Sequence, residues 1–486
     1  MAQQDAKFVQ GSTLKHVLTM SGAGSVGLMA LFVVDLLDMV FISMLGQIEL
    51  AAAVGFAGTL LFFASSISIA TSIAMGALVS KALGANAIDK AKSLVTNILI
   101  FAFAVNVVVT AIMVIYIPEL VALIGASGDA ASYAQAYLYI LLPTTPIIAL
   151  GMASGAALRA TGDAKRSMWA TIIGGLVNAV LDPIFIFGFG WGVEGAAIAS
   201  VVSRITVLLC SIIPLIRIHE LIGRFDFTRF KNDILPIFTV AGPAMLTNIA
   251  TPIGNAYVTA TMAQFGENFV AGFAVVGRIL PVAFAAIFAL SGAIGPIIGQ
   301  NYGAQRIDRV KQALSDSILV VVVYCLLVCL LLFLLQNQII SLFSLTGDAA
   351  YVVNVYCTFV ALTFSFNGIQ FVANASFNNL GKPLYSTFLN IGKATAGTIP
   401  FVFLGSLWFG AVGVIYGQAA GNIVFGVIAY LFLRKHVNQM VKEKCIQDNE
   451  TILQPVNVQP FCTHDAVVVD EIAKGDELVA IEATNK

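Results

Sequence analysis

The sequence predicts an all-α integral membrane protein, with twelve transmembrane helices in two six-helix lobes related by an internal repeat. Three observations predict it. The 486-residue chain is 59% apolar and only 10% charged, with a mean hydropathy of +0.92, against about 25% charge in an ordinary soluble domain. Twelve apolar runs punctuate it, on the scale of the ~20 residues that a bilayer demands. One pattern of residues also recurs about 219 positions later. This composition excludes a water-soluble globule, a disordered chain and a nucleic-acid binder. The net charge of −1 suggests no charged macromolecular partner.

The runs lie at 17–43, 51–80, 93–117, 132–157, 168–189, 195–216, 236–263, 270–298, 314–336, 351–377, 384–406 and 411–433. The first is too long for the apolar region of a cleavable signal. Six cysteines in a chain of this length do not signal a disulfide framework. Cys210, Cys325, Cys329 and Cys357 fall in apolar runs, and Cys445 and Cys462 in the polar tail.

Lys and Arg set the orientation. With a cytoplasmic N-terminus and twelve crossings, 22 of the 25 basic residues fall in cytoplasmic termini and loops, Arg159 among them. Arg204, Arg278 and Lys393 remain inside spans, and none falls in an outer loop. The outer loops carry acids such as Glu49, Glu119, Glu194 and Glu267. Both termini are therefore expected in the cytoplasm, with the chain multi-pass in the cell membrane, a bacterial inner membrane.

The repeat is read from three places. GANAIDKAK at 84–92 faces GAQRIDRVK at 303–311, Ala160-Thr-Gly162 faces Asn379-Leu-Gly381, and WGVEGAA at 191–197 faces FGAVGVI at 409–415. It divides the chain into an N-lobe at 1–218, a cytoplasmic linker at 219–235, a C-lobe at 236–434 and a cytoplasmic tail at 435–486. Its many acids and sharp change of composition mark the tail as disordered. An even number of helices per repeat relates the lobes by an axis along the membrane normal, with a substrate site between or within them. Two lobes that rock about a central cavity imply alternating access.

Ionisable groups in lipid are costly, and by default they mark function. Three acids sit deep in spans, all in the first lobe: Asp35 and Asp38 in the first run and Asp182 in the fifth. Asp316 lies at the edge of the ninth run and is expected to be solvated. Asp35 and Asp38 are three residues apart and share a helix face. Two close carboxylates in a poorly hydrated site do not both ionise easily. Asn178 stands one turn before Asp182, and Pro183 removes a helical hydrogen bond and kinks the helix. Together they offer oxygens that suit a proton, a water or Na⁺ at Asp38, Asn178 and Asp182. Ser200 in the sixth run adds a hydroxyl. Arg204, Arg278 and Lys393 are cavity-lining or structural charges. No His/Cys cluster, nucleophile elbow or phosphate loop stands at a plausible place, so an enzyme is not expected.

These residues resemble a known family. Asp35-Leu-Leu-Asp38-Met-Val-Phe-Ile-Ser-Met-Leu-Gly46 is similar to the first helix of multidrug and toxic compound extrusion (MATE) transporters. LRATGDAKRSM at 158–168, Asn178-Ala-Val-Leu-Asp182-Pro183 and Gly190-Trp-Gly-Val-Glu-Gly-Ala-Ala197 resemble the region from its fourth helix to its sixth. The likeness covers about residues 15–435. It implies a secondary antiporter that exports amphipathic, often cationic drugs in exchange for H⁺ or Na⁺, working as a monomer with no cofactor beyond the coupling ion. It also implies that Asp38, Asn178 and Asp182 serve ion coupling, with Ser200 close by. Asp35 stands where many relatives have a neutral polar residue. The acids that the NorM-like branch places in the seventh and tenth helices are absent, which points to the DinF-like branch and favours H⁺ over Na⁺. The alternative is a lipid-linked oligosaccharide flippase of the same fold superfamily, whose pyrophosphate cargo would call for several basic residues in the cavity.

Overall fold

The computed structural model describes residues 6–45 and 48–453, and helices account for nearly all of them. The chain divides into two units at Val437/Asn438. The first half of the larger unit holds α1 (Thr13–Ser43), α2 (Ile48–Gly84), α3 (Ile88–Ile115), α4 (Ile117–Leu123), α5 (Gly128–Leu141), α6 (Thr145–Ala160), α7 (Ala164–Pro183) and α8 (Gly192–Arg217). Then come α9 (Phe227–Ala263), α10 (Glu267–Ala283), α11 (Ala285–Gly303), α12 (Ile307–Leu342), α13 (Gly347–Val355), α14 (Phe364–Asn379), α15 (Pro383–Ala394) and α16 (Ile399–Leu453).

Ten helical stretches are long and apolar enough to cross a bilayer, and the α10–α11 pair, bent by 48°, makes an eleventh. The protein is a multi-pass membrane protein. Its outer faces are apolar where a soluble protein would be charged: α12 exposes Leu326, Leu327, Leu330 and Leu334, as lipid-facing helices do. One of the ten stretches, Pro383–Lys444, is 62 residues long. Within it the backbone leaves helical geometry at Gly410, with φ of 64°. A Cβ on Gly413 would lie 1.8 Å from the Gly405 carbonyl oxygen, and one on Gly421 would lie 1.7 Å from that of Gly397. Residues 397–405 and 413–421 therefore run antiparallel in direct backbone contact.

Backbone features recur at one spacing. Positive φ occurs at Asn86 and Gln305, Gly125 and Ser344, Gly128 and Gly347, and Gly162 and Gly381, each pair 219 residues apart. The 3-10 turns Leu142–Thr144 and Ala361–Thr363 keep that spacing too. At the crossing of α2 and α11, a Cβ on Gly84 would stand 2.0 Å from the Gln300 carbonyl oxygen, and one on Gly303 would stand 2.1 Å from that of Lys81. The two contacts are reciprocal at the same spacing.

This end of the bundle is tied shut between the halves. Ser80 Oγ donates to Asn379 Oδ1 (3.3 Å), and Gln300 Nε2 donates to the Ala160 carbonyl (2.7 Å). The N-terminal segment crosses the seam: Lys7 Nζ donates to the Gly162 carbonyl (2.9 Å), the Phe8 amide to Gln300 Oε1 (2.8 Å), and Arg309 Nη2 to the Phe8 carbonyl (3.0 Å). Asp316 accepts from Thr13 Oγ1. It was expected to be solvated, and is instead half-buried in a contact between the halves, because the bundle packs α1 against the start of α12.

Two further expectations shift. The helix containing the seventh run starts at Phe227, ahead of the apolar pattern, because Asp226 caps it by accepting from the Thr228 amide (2.8 Å). Residues 435–453, expected in a disordered tail, are helical, and they contain no Gly or Pro. The rest of that tail, 454–486, lies outside the described residues.

Candidate ion-coupling site and central cavity

Three of the expected residues meet in the first half. Gly175 brings α1 and α7 together, since a Cβ there would stand 3.0 Å from Val34 Cγ2. The close approach puts Asn178 between two acids. Its Nδ2 donates to Asp38 Oδ1 (2.9 Å) and to Asp182 Oδ2 (3.0 Å). Asn178 and Asp182 share a face of α7 one turn apart. Asp182 is fully buried, and its Oδ1 has no hydrogen-bond partner among the described residues. The Asp38 and Asp182 carboxyls adjoin each other.

Two carboxylates that share one amide donor repel each other strongly in a medium of low polarity. A proton on either relieves that repulsion and turns an acceptor into a donor. The site can therefore respond to a single proton with a change of packing. The Asn178 Nδ2 is placed toward both acids. Among the described residues, no group of three or more His, Cys, Asp or Glu side chains could hold a metal ion.

The remaining first-half candidates surround this core. Asp35 is exposed one turn from Asp38, close enough for their charges to interact. Ser200 on α8 lies near Tyr137 of α5, a buried residue within electrostatic reach of Asp38, Asp182 and Arg204. Tyr137 escaped the sequence reading. The signal that could have found it is Tyr356, another buried tyrosine 219 residues on. Arg204 Nη1 donates to the Leu141 carbonyl (2.9 Å) and Thr144 Oγ1 (2.6 Å), which satisfies acceptors where the helix breaks between α5 and α6. After Pro183 the chain makes a π-turn at Ile184–Gly188, so the helix widens at the proline, beside the acids. Such turns are frequent at functional sites.

In the second half, Lys393 Nζ donates to Asn367 Oδ1. Arg278 is exposed on α10 with no described hydrogen bond. Neither joins the acid site. Arg159 is a correction: it was grouped with the loop cations, yet it lies on the last turn of α6, half-buried, and lines a cavity between the halves.

The MatE family model matches residues 25–184 and again residues 243–404. The chain belongs to the MatE family. MatE proteins are transporters and not enzymes. Similar proteins include an FAD transporter of Shewanella oneidensis, 28% identical over 88% of this chain and 95% of its own. The multidrug export protein MepA of Staphylococcus saprophyticus is 25% identical over 88% of this chain and 94% of its own. The structure of an outward-facing multidrug resistance MATE family transporter superposes with a TM-score of 0.85, covering 90% of this chain and 98% of that one at 24% identity. A Vibrio cholerae MATE transporter superposes at 0.84, over 88% and 97%, also at 24% identity. In this MatE protein the acid site falls inside the first matched stretch, and Lys393 inside the second.

Proposed function

We propose that this MatE transporter exports small organic compounds across the cytoplasmic membrane by proton antiport, with Asp38, Asn178 and Asp182 as the coupling site. The observation that carries the reading is the single Asn178 amide shared by two intramembrane carboxyls. Outward-facing, the acids take up protons; the neutral pair lets α1 and the π-turn beyond Pro183 repack; the halves rock and the protons leave to the cytoplasm. Cationic, amphipathic cargo is the class that the first-half acids favour.

The architecture in this reading is twelve spans in two lobes, joined through the 219–235 linker, with both termini cytoplasmic. The antiparallel contact around Gly410 supports counting two spans in the 62-residue stretch. The doubled family match and the recurrences of backbone geometry support the repeat. No acid lies deep in a second-half span, which supports the DinF-like branch and H⁺ over Na⁺. The ties at the N-terminal end then make this an outward-open arrangement.

A second reading of the cargo has one observation in its favour. The central cavity presents Arg159 and no acid, and one relative is named an FAD transporter. Cargo bearing a phosphate would suit that lining better than a cation.

Reconstituted vesicles test the proposal. Substrate release should follow an imposed ΔpH, acid on the outer face, and ignore an imposed Na⁺ gradient of the same energy. Release that follows Na⁺ alone, or neither gradient, overturns it. Translocation of a polyprenyl pyrophosphate with no gradient would establish the flippase instead.

A further inference from the structure

A cavity of about 230 Å³ lies between the halves. Its lining pairs up across the repeat: Ser72 with Ser291, Ala156 with Ala375, and Arg159 with Asn378, each pair 219 residues apart. It therefore sits on the axis that relates the halves in the two-lobe reading. At the last pair the equivalence fails, a guanidinium facing an amide.

That guanidinium is not neutralised. Arg159 Nη1 donates to Ser167 Oγ (2.9 Å), and among the described residues it makes no ion pair. The cavity lining contains no Asp or Glu. Asp163, the nearest acid in sequence, is taken by Arg166 and by His219 Nε2 (3.0 Å). Meanwhile Asn374 and Asn378, both more than nine-tenths buried, line the same cavity, and each has an Oδ1 without a hydrogen-bond partner. Buried charges and buried acceptors left unpaired are costly, and functional sites are where such costs are kept.

We propose that this cavity is a binding site for an anionic organic cargo, with Arg159 holding its phosphate or carboxylate. The guanidinium fork suits a planar or tetrahedral oxyanion, because several N–H donors remain after the bond to Ser167. The Phe371 ring, also in the lining, offers an apolar face for an aromatic body. A cation is disfavoured, since it would meet a like charge with no acid to offset it. Ser167 is a positioning residue that fixes the fork. The proposal rests on the exporter reading and takes its phosphate-bearing cargo over the cationic one.

Binding to the purified full chain in nanodiscs separates this from transport. The probes are FMN, riboflavin (the same ring without the phosphate), a cationic dye of similar size and a polyprenyl pyrophosphate. FMN should bind at least tenfold more tightly than riboflavin. Arg159→Gln should bring FMN to the level of riboflavin, and Arg159→Lys should keep part of the difference. Asn378→Asp, which supplies an internal partner for the guanidinium, should act like Arg159→Gln and keeps the test open if that variant misfolds. Arg159-dependent binding of the polyprenyl pyrophosphate in place of FMN would assign the anion to a lipid headgroup and support the same site. Equal affinity for FMN and riboflavin, a preference that survives both variants, binding of the cationic dye alone, or no binding of either anionic probe overturns the proposal. Failure of the exporter reading would show elsewhere, as loss of ΔpH-driven release in the unmutated chain.

Discussion

The reciprocal glycines at the crossing of α2 and α11 make a measurable claim about how the halves separate. Neither Gly84 nor Gly303 has positive φ, so alanine is tolerated by the backbone and only space is at issue. In Gly84→Ala the new methyl would lie 2.0 Å from the Gln300 oxygen and 2.6 Å from its Cα and carbonyl carbon, where real Cβ contacts stay beyond 3.0 Å. These are backbone atoms and cannot rotate away, so the helices must part by about 1 Å. Overpacking of this kind costs roughly 1–3 kcal/mol, enough to shift a two-state population about 5–150-fold. The closed arrangement at this end should lose that much. Gly303→Ala meets the Lys81 oxygen at 2.1 Å and should do the same. The double variant should add little, because one separation relieves both clashes. Electron–electron resonance between labels at Ala87 and Arg306, in a background without native cysteines, reads the distance. Growth of a longer-distance population in each single variant is expected. Unchanged distributions in both, or effects that add fully in the double variant, would refute the reasoning.

Three other outcomes follow from the site and its surroundings. Asp38→Asn and Asp182→Asn should each lower ΔpH-driven efflux in vesicles at least about tenfold, and the double variant should be no worse, because both acids act through Asn178; Asp35→Asn should cost less, and full additivity would contradict this. Tyr137→Phe removes a buried hydroxyl close to Ser200 and within electrostatic reach of both acids, and should move the pH profile of transport while leaving thermal stability nearly unchanged; an unmoved profile would remove Tyr137 from the site. Asp163 caps α7 and bonds His219 and Arg166. Burial alone would raise its carboxyl, but those bonds outweigh burial and hold it well below the ordinary carboxylate range. A depressed native value means that its stabilisation is complete above the unfolded value of ~3.9 and is lost as pH falls toward the native value. Asp163→Ala should therefore cost about 1 kcal/mol as a lost cap, with a melting-temperature gap that is steady from about pH 7 to 5 and narrows only in stronger acid. A gap that closes already near pH 6 would be incompatible with it.

How much of this was legible depended on how local the cause is. Asp38 and Asp182 stand out in any reading because lipid penalises them without regard to their neighbours. The four-residue spacing of Asn178 and Asp182 puts them on one helix face by helical periodicity alone. Tyr137 carries no local mark, because its place depends on how α5 packs on α8, and among 12 tyrosines only its counterpart Tyr356, 219 positions on, singles it out. Arg159 was misplaced for a related reason. It follows the fourth apolar run by two residues, as loop cations do, and only the packing of both halves turns it toward a cavity. Asp316 is the converse case, an edge residue whose partner Thr13 lies 303 positions away. The early start of α9 was readable in principle, since Asp226 is a good capping residue, but apolar pattern alone begins where charge ends.

Positions 219 residues apart share backbone geometry and part company in their chemistry, and packing gives the reason. A contact such as Gly84 on Gln300 needs its counterpart, Gly303 on Lys81, or the two helices could not cross at the same separation along both edges. Features that set helix crossings are thus retained in pairs. A carboxyl pair has no such need for a copy. The residues 219 positions on from Asp38, Asn178 and Asp182 are Tyr257, Gly397 and Phe401. Two of these are packed shut: Gly421 lies against the Gly397 oxygen and Gly417 against that of Phe401, at distances of 1.7 and 2.3 Å for a Cβ that neither glycine has. No carboxyl, ion or water fits between backbones that close. The second half has thus filled with a helix contact the space in which the first half keeps its acids. In the proposed cycle, protonation then acts on the first half alone and the second half is the partner it moves against.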